Sequence, residues 1–217
     1  MQMPRAWIFD LDNTLHDARP HVFPHINRAM TAYIASRLSI SEAEAQTMRI
    51  HYWHRYGATL TGLVRHHAID PHDFLWHTHQ FPDLRRMLVA DSGLRQMLRR
   101  LPGRKIVYTN SPLHYAETVL DMLGIARAFD AVYSIESVRF KPKPDPAGFR
   151  LLLRAEGLSA GRTVLIEDSL SNLRTARFLG MRTVWISREP RRPDYVDVRT
   201  ASVLALPRVI DRQGLIR

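Results

Sequence analysis

Short, largely apolar runs alternate along much of this chain with longer stretches whose apolar positions recur every three to four residues. The short runs are 6–9, 105–108, 131–133, 164–166 and 183–186, lengths that suit buried strands. The longer stretches are 94–101, 115–123, 149–155 and 170–179. Their spacing near 3.6 residues predicts helices with one face turned inward. Gly124 and Gly180 stand where such helices end. The alternation predicts an α/β fold with a Rossmann-like parallel sheet core.

Residues 16–83 break the pattern. They show no strand and read as about four helices, with Ser41 and Pro71 near helix starts. A helical block after the first strand predicts an inserted α-helical cap domain at 16–83. The core is then 1–15 with 84–217, and Phe81-Pro82-Asp83 is the return hinge. Beyond 186 the chain changes again. Residues 188–192 are basic and Pro-rich, and 194–217 carry weak periodicity with one short strand expected around 203–206.

Composition narrows the class. The 217 residues are 45% hydrophobic and 24% charged, values of a globular chain, and the length fits one domain with an insertion. Cysteine is absent, which excludes disulfides, thiolate zinc sites and a cysteine nucleophile. No apolar run approaches the ~18 residues of a membrane span. The first residues lead into a strand without a signal-like apolar region, so a cytoplasmic protein with no membrane partner is expected. Net charge is +10, which favours phosphorylated or polyanionic partners. The basic residues form no block, so no stable nucleic-acid partner is expected. Only Lys105, Lys141 and Lys143 are lysines, against 28 arginines, which singles out the pair in the Pro-rich loop.

Open parallel sheets bind ligands beyond the carboxyl ends of their strands. The first strand ends in Asp10-Leu11-Asp12-Asn13-Thr14, the second in Thr109-Asn110-Ser111 and the fourth in Glu167-Asp168-Ser169. Lys141-Pro142-Lys143-Pro144-Asp145-Pro146 precedes a helix. Converging carboxylates repel one another, and a hard cation such as Mg²⁺ relieves the conflict. Asp10 and Asp168 are its candidate ligands, with the Asp12 carbonyl, and Glu167 acting through water. Thr109, Asn110 and Lys143 are candidate donors to a phosphate, Asp10 a candidate nucleophile and Asp12 a candidate acid and base. Each piece alone has an ordinary explanation: turn chemistry for D-x-D, a helix cap for Thr109-Asn110, a solvated lysine, an acidic helix start.

The set in this order resembles the haloacid dehalogenase (HAD) superfamily of hydrolases, in its helical-cap form. Phe9-Asp10-Leu11-Asp12-Asn13-Thr14-Leu15 is similar to its first motif and Tyr108-Thr109-Asn110-Ser111 to its second. Lys143-Pro144-Asp145-Pro146-Ala147-Gly148-Phe149 is similar to its third, and Ile166-Glu167-Asp168-Ser169, with Asn172 and Gly180-Met181, to its fourth. Lys143 is preferred to Lys141 because Phe149 lies at the family spacing only from Lys143. The resemblance implies a Mg²⁺-dependent phosphoric monoester hydrolase working through an aspartyl-phosphate. Superfamily dehalogenases lack an aspartate two residues after the nucleophile, so Asp12 favours ester hydrolysis.

A finer resemblance, carried by residues 9–16 and 56–63 and by Thr109-Asn110 with Ala116-Glu117 and Leu123-Gly124-Ile125, is to the pyrimidine 5′-nucleotidase branch. It implies a small phosphorylated substrate, a pyrimidine nucleoside 5′-monophosphate. Tyr52, Trp53 and Tyr56 are candidate stacking faces for a base, with cap core as their ordinary explanation. Glu167 departs from that branch, where two aspartates are frequent. The alternatives are a sugar phosphate or phosphoglycolate phosphatase, and more remotely a non-catalytic basic protein that binds nucleic acid. Ten of the eleven histidines fall in the cap, but their spacing lacks metal-site motifs, and they read as solvated helix faces.

Overall fold

A computed structural model describes residues 6–213 and divides into two compact units. One holds the chain up to Asp17 and from Val89 onward, and the other is Ala18–Leu88. The helical unit therefore begins at 18 and ends at 88, where the sequence pattern suggests 16 and 83.

That unit consists of α1 (Val22–Leu38), α2 (Glu42–Tyr56), α3 (Thr59–His67), α4 (Pro71–Thr78) and the short α5 (Leu84–Met87). Leu84 is buried, which carries the unit past the expected hinge. α1 packs on α2 and α4, and α2 on α3. Ser41 and Glu44 form a reciprocal capping box: the Glu44 N–H donates to Ser41 Oγ at 3.3 Å and the Ser41 N–H to Glu44 Oε2 at 2.9 Å. Asp70 accepts from the N–H groups of His72 and Asp73, with Pro71 opening α4. Gly62 lets α3 approach α2, because a Cβ there would stand 2.2 Å from Tyr52 Cγ.

The other unit is built on β1 (Ala6–Phe9), β2 (Arg104–Tyr108), β3 (Ala131–Tyr133), β4 (Thr163–Glu167), β5 (Arg182–Ile186) and β6 (Val198–Thr200). They form one parallel sheet in the order β3-β2-β1-β4-β5-β6. β1 and β4 are buried throughout, as expected where helices cover both faces of a parallel sheet. The helices are α6 (Leu94–Arg100), α7 (Leu113–Met122), α8 (Pro146–Ala155), α9 (Leu170–Phe178) and α10 (Leu206–Gln213). α9 lies against β4 and β5, α7 against β3, and α6 against α10.

The strand order reverses between β1 and β4. Such a switch point opens a crevice beyond the carboxyl ends of the two strands. One expectation needs correction. Residues 203–206 form no strand: Val203–Ala205 is a 3-10 turn leading into α10, and the added strand is β6, earlier in the chain. A four-residue apolar run carries no period of its own, and Ser202, whose Oγ accepts the Leu204 N–H, starts a helical turn there.

Candidate active site

Pairing with β4 continues one residue past β1, where the Asp10 N–H donates to the Ile166 carbonyl at 2.9 Å. This fixes Asp10 at the mouth of the crevice. The chain then folds back in a tight loop, with the Leu15 N–H on the Leu11 carbonyl at 2.9 Å. Asn13 adopts φ 63° there, a left-handed conformation that asparagine tolerates. Thr14 Oγ1 donates to Asp10 Oδ2 at 3.2 Å.

Lys143 is buried and Lys141 exposed, which separates the two candidates. The Lys143 ammonium uses all three of its protons: on Asp10 Oδ1 at 2.6 Å, Glu167 Oε2 at 2.8 Å and the Tyr108 carbonyl at 2.8 Å. Its nitrogen also lies 5.2 Å from the Tyr108 ring centre, within cation–π range. Asn110, expected to contact phosphate, grips the peptide of Lys143 with its side chain. Its Nδ2 donates to the Lys143 carbonyl at 2.9 Å, and its Oδ1 accepts the Lys143 N–H at 2.8 Å. Thr109 is buried, and its Oγ1 accepts the Ser111 N–H at 3.0 Å, so its hydroxyl proton can still be donated.

Glu167 accepts at both oxygens. Oε2 takes Lys143 and Asn172 Nδ2, and Oε1 takes the N–H groups of Asp168 and Ser169. Burial opposes its charge, but Lys143 and these donors outweigh burial and hold the carboxyl below the ordinary glutamate value. Asp168 lies beside it, with its carbonyl accepting Trp185 Nε1 at 2.8 Å. Asp10, Glu167 and Asp168 each present an oxygen within 4.8 Å of the others, and this is the one such acidic or histidine group among the described residues.

Charge does not balance in this cluster. Three carboxylates face one ammonium, in a place where charge is poorly solvated. Burial and the Glu167 charge push Asp10 up to about 7 despite Lys143. Burial, with Asp10 and Glu167 beside it, pushes Asp168 up to about 8. A divalent cation with all-oxygen ligands matches this donor set. Because Glu167 is so fully hydrogen-bonded, Asp10 and Asp168 have the freer lone pairs for it.

Asp12 has a separate environment. Tyr115 Oη donates to its Oδ1 at 2.7 Å and Ser111 Oγ to its Oδ2 at 2.9 Å, while His16 Nε2 lies 3.0 Å from Oδ1. Burial raises its pKa, but the contacts from His16, Tyr115 and Ser111 prevail and hold Asp12 below the ordinary aspartate value. These three neighbours were not singled out from the sequence. Tyr115 reads there as one more core position of a helix, and no local motif marks a side chain that reaches a distant loop.

The cap residues lie within the helical unit. Tyr52 is hydrogen-bonded to His67 at 2.7 Å, stacked on His66 at 5.6 Å between ring centres, and backed by Gly62. Tyr56 Oη pairs with His66 at 2.6 Å. Trp53 is 57% exposed. Tyr52 and Tyr56 line a groove of about 780 Å³ with His51, Arg55 and Met48.

A haloacid dehalogenase-like hydrolase profile matches residues 4–180, most of the chain, and the protein belongs to that family. It is 29% identical over 193 residues to phosphate metabolism protein 8 of Saccharomyces cerevisiae, a match covering 82% of this chain and 60% of that protein. The chain thus spans less than two thirds of that relative. It is 25% identical over 199 residues to a phosphoglycolate phosphatase of Pseudomonas fluorescens, covering 86% of this chain and 70% of the relative. Its fold is similar to the crystal structure of a HAD phosphatase from Thermococcus onnurineus, with a TM-score of 0.67 at 21% identity over 97% of this chain and 98% of that one. No helix among the described residues is long and apolar enough to cross a membrane.

Proposed function

We propose that this protein is a Mg²⁺-dependent phosphatase that hydrolyses a small phosphomonoester through an aspartyl-phosphate on Asp10. The observation that carries the reading is the convergence of Asp10, Asp168, Glu167 and Lys143 where β1 and β4 end. Asp10 and Asp168, with the Asp12 carbonyl, would hold Mg²⁺, which supplies positive charge to the phosphoryl oxygens when bound.

The residues of the chain account for the rest. A carboxylate oxygen of Asp10 attacks phosphorus, and the bond to the ester oxygen breaks. In its protonated form Asp12 hands a proton to the departing oxygen, and it is reprotonated by the water that then attacks the acyl-phosphate, releasing inorganic phosphate. Lys143, held by Glu167 and the Tyr108 carbonyl, keeps Asp10 oriented and its charge compensated. Thr109 supplies a hydroxyl to the phosphate.

For the substrate, the aromatic and histidine groove of the helical unit and the likeness of residues 56–63 to pyrimidine nucleotidases support UMP and CMP. Base stacking contributes about 1–3 kcal/mol, and Tyr52 and Tyr56 line that groove, whereas Trp53 lies outside its lining. A second reading, phosphoglycolate, is favoured by the names of several relatives, including the Pseudomonas fluorescens protein. A phosphate-release screen with Mg²⁺ over nucleotides, sugar phosphates and phosphoglycolate tests both. UMP or CMP with the highest kcat/KM supports the first reading, and phosphoglycolate the second. No release from any phosphomonoester, together with salt-dependent nucleic-acid binding, overturns both.

A further inference from the structure

His16 is a buried titratable side chain that the reaction above leaves without a task. It is 3% exposed, and its Nδ1 has no hydrogen-bond partner. Its Nε2 lies 3.0 Å from Asp12 Oδ1 and 3.4 Å from Tyr115 Oη. In its resting, ionised form Asp12 can only accept, so the contact places the proton on His16 Nε2, and Oδ1 still accepts it when Oδ2 is protonated.

The donors divide unevenly over the carboxylate. Oδ1 takes Tyr115 and His16, both presented by side chains that are themselves buried. Oδ2 takes Ser111 Oγ, also buried but a hydroxyl that can rotate. The chain also brings these partners from different places: His16 closes the loop after β1, and Tyr115 stands in the first turns of α7 after β2. Asp12 is thereby tied to both strand ends at once.

We propose that His16 and Tyr115 are positioning residues for Asp12: by occupying Oδ1 they leave Oδ2 as the oxygen that exchanges the proton with the ester oxygen. The inference rests on the acid role given to Asp12 above. It does not depend on His16 changing charge, only on its N–H holding the carboxylate in one orientation. Misplacing an acid by about 1 Å can cost on the order of a hundredfold in rate.

The test follows the first chemical step in single turnovers, as release of an alcohol from an alkyl phosphate and of 4-nitrophenol from its phosphate. The phenol leaves without much help from an acid. His16→Leu is expected to slow the alkyl reaction about 10- to 100-fold and the aryl reaction less than about threefold. Tyr115→Phe shifts in the same direction, and His16→Gln, which keeps a neutral N–H donor, recovers most of the alkyl rate. In an Asp12→Asn background, His16→Leu adds no further loss, because both changes act through one carboxylate. Equal losses on both substrates, no rescue by glutamine, or a further loss in the Asp12→Asn background would overturn the positioning role. If Asp12→Asn itself slows both substrates equally, the acid role fails first, and that result is distinct from a failure confined to His16 and Tyr115.

Discussion

At the scale of single residues, the site is a contest between burial and pairing, and Lys143 decides it. The ammonium compensates Asp10 and Glu167 together. Removing one member of a buried ion network leaves uncompensated charge, which costs about 3–5 kcal/mol. Lys143→Ala is therefore expected to lower stability by that order in a denaturant titration, besides abolishing phosphate release. Asp10→Asn differs in kind. It keeps an oxygen for the ammonium, so the protein stays folded, while turnover falls about a thousandfold or more because an amide forms no acyl-phosphate. Trapping of a phosphoenzyme with wild type and not with the variant checks this, and robust turnover by Asp10→Asn would remove the nucleophile assignment. Asp10, Asp12, Lys143 and Asp168 were legible from the chain because each sits at a strand end or helix start with recognisable neighbours. The environment of Asp12 was not. Ser111 and Tyr115 reach it across 99 and 103 residues, and no periodicity records a contact of that separation.

At the scale of elements, the start of α8 aims the lysine. Asp145 caps the helix, accepting the Ala147 N–H at 2.8 Å, and Pro146 opens it. Gly148 lies where the helix meets the loop: a Cβ there would stand 2.3 Å from Tyr108 Oη and 2.4 Å from the Lys141 carbonyl. The carbonyl is backbone and cannot swing aside. Gly148→Ala is expected to cost about 1–3 kcal/mol and to lower kcat by displacing the loop that carries Lys143, read as a fall in Tm and in phosphate release together. A wild-type Tm would show that the contact relaxes freely. The strands of the core were readable in outline because buried parallel strands are short apolar runs bounded by loops. β4 and β5 each extend the expected run at a polar or charged end, Thr163 with Glu167, and Arg182, since hydrogen bonding carries a strand beyond its apolar part. At 203–206 the isolated apolar run fits a strand and a helical turn equally, and the Ser202 cap decides for the turn.

At the scale of the whole molecule, the acidic cluster links metal, pH and stability. Folded Asp10 and Asp168 keep their protons up to about 7 and about 8, whereas unfolded aspartates release theirs near pH 4, to about a unit. The folded state thus binds more protons between about pH 4 and pH 8, and stability of the metal-free protein falls as pH rises through that window. Thermal melts in EDTA are expected to show this fall, Asp168→Asn to flatten it, and Mg²⁺ to raise Tm most at the alkaline end. A Tm indifferent to Mg²⁺ at alkaline pH would count against a cation in the cluster. The chain departs for the helical unit just after Asp17 and re-enters at Val89, and these two residues are bridged, with the Asp17 N–H on the Val89 carbonyl at 2.7 Å. To the sheet, everything between them is a single loop closed by one latch. The register of β1 against β2 and β4 is set by pairs that lie outside that loop, so a lineage can vary this insert while inheriting the catalytic end of its strands.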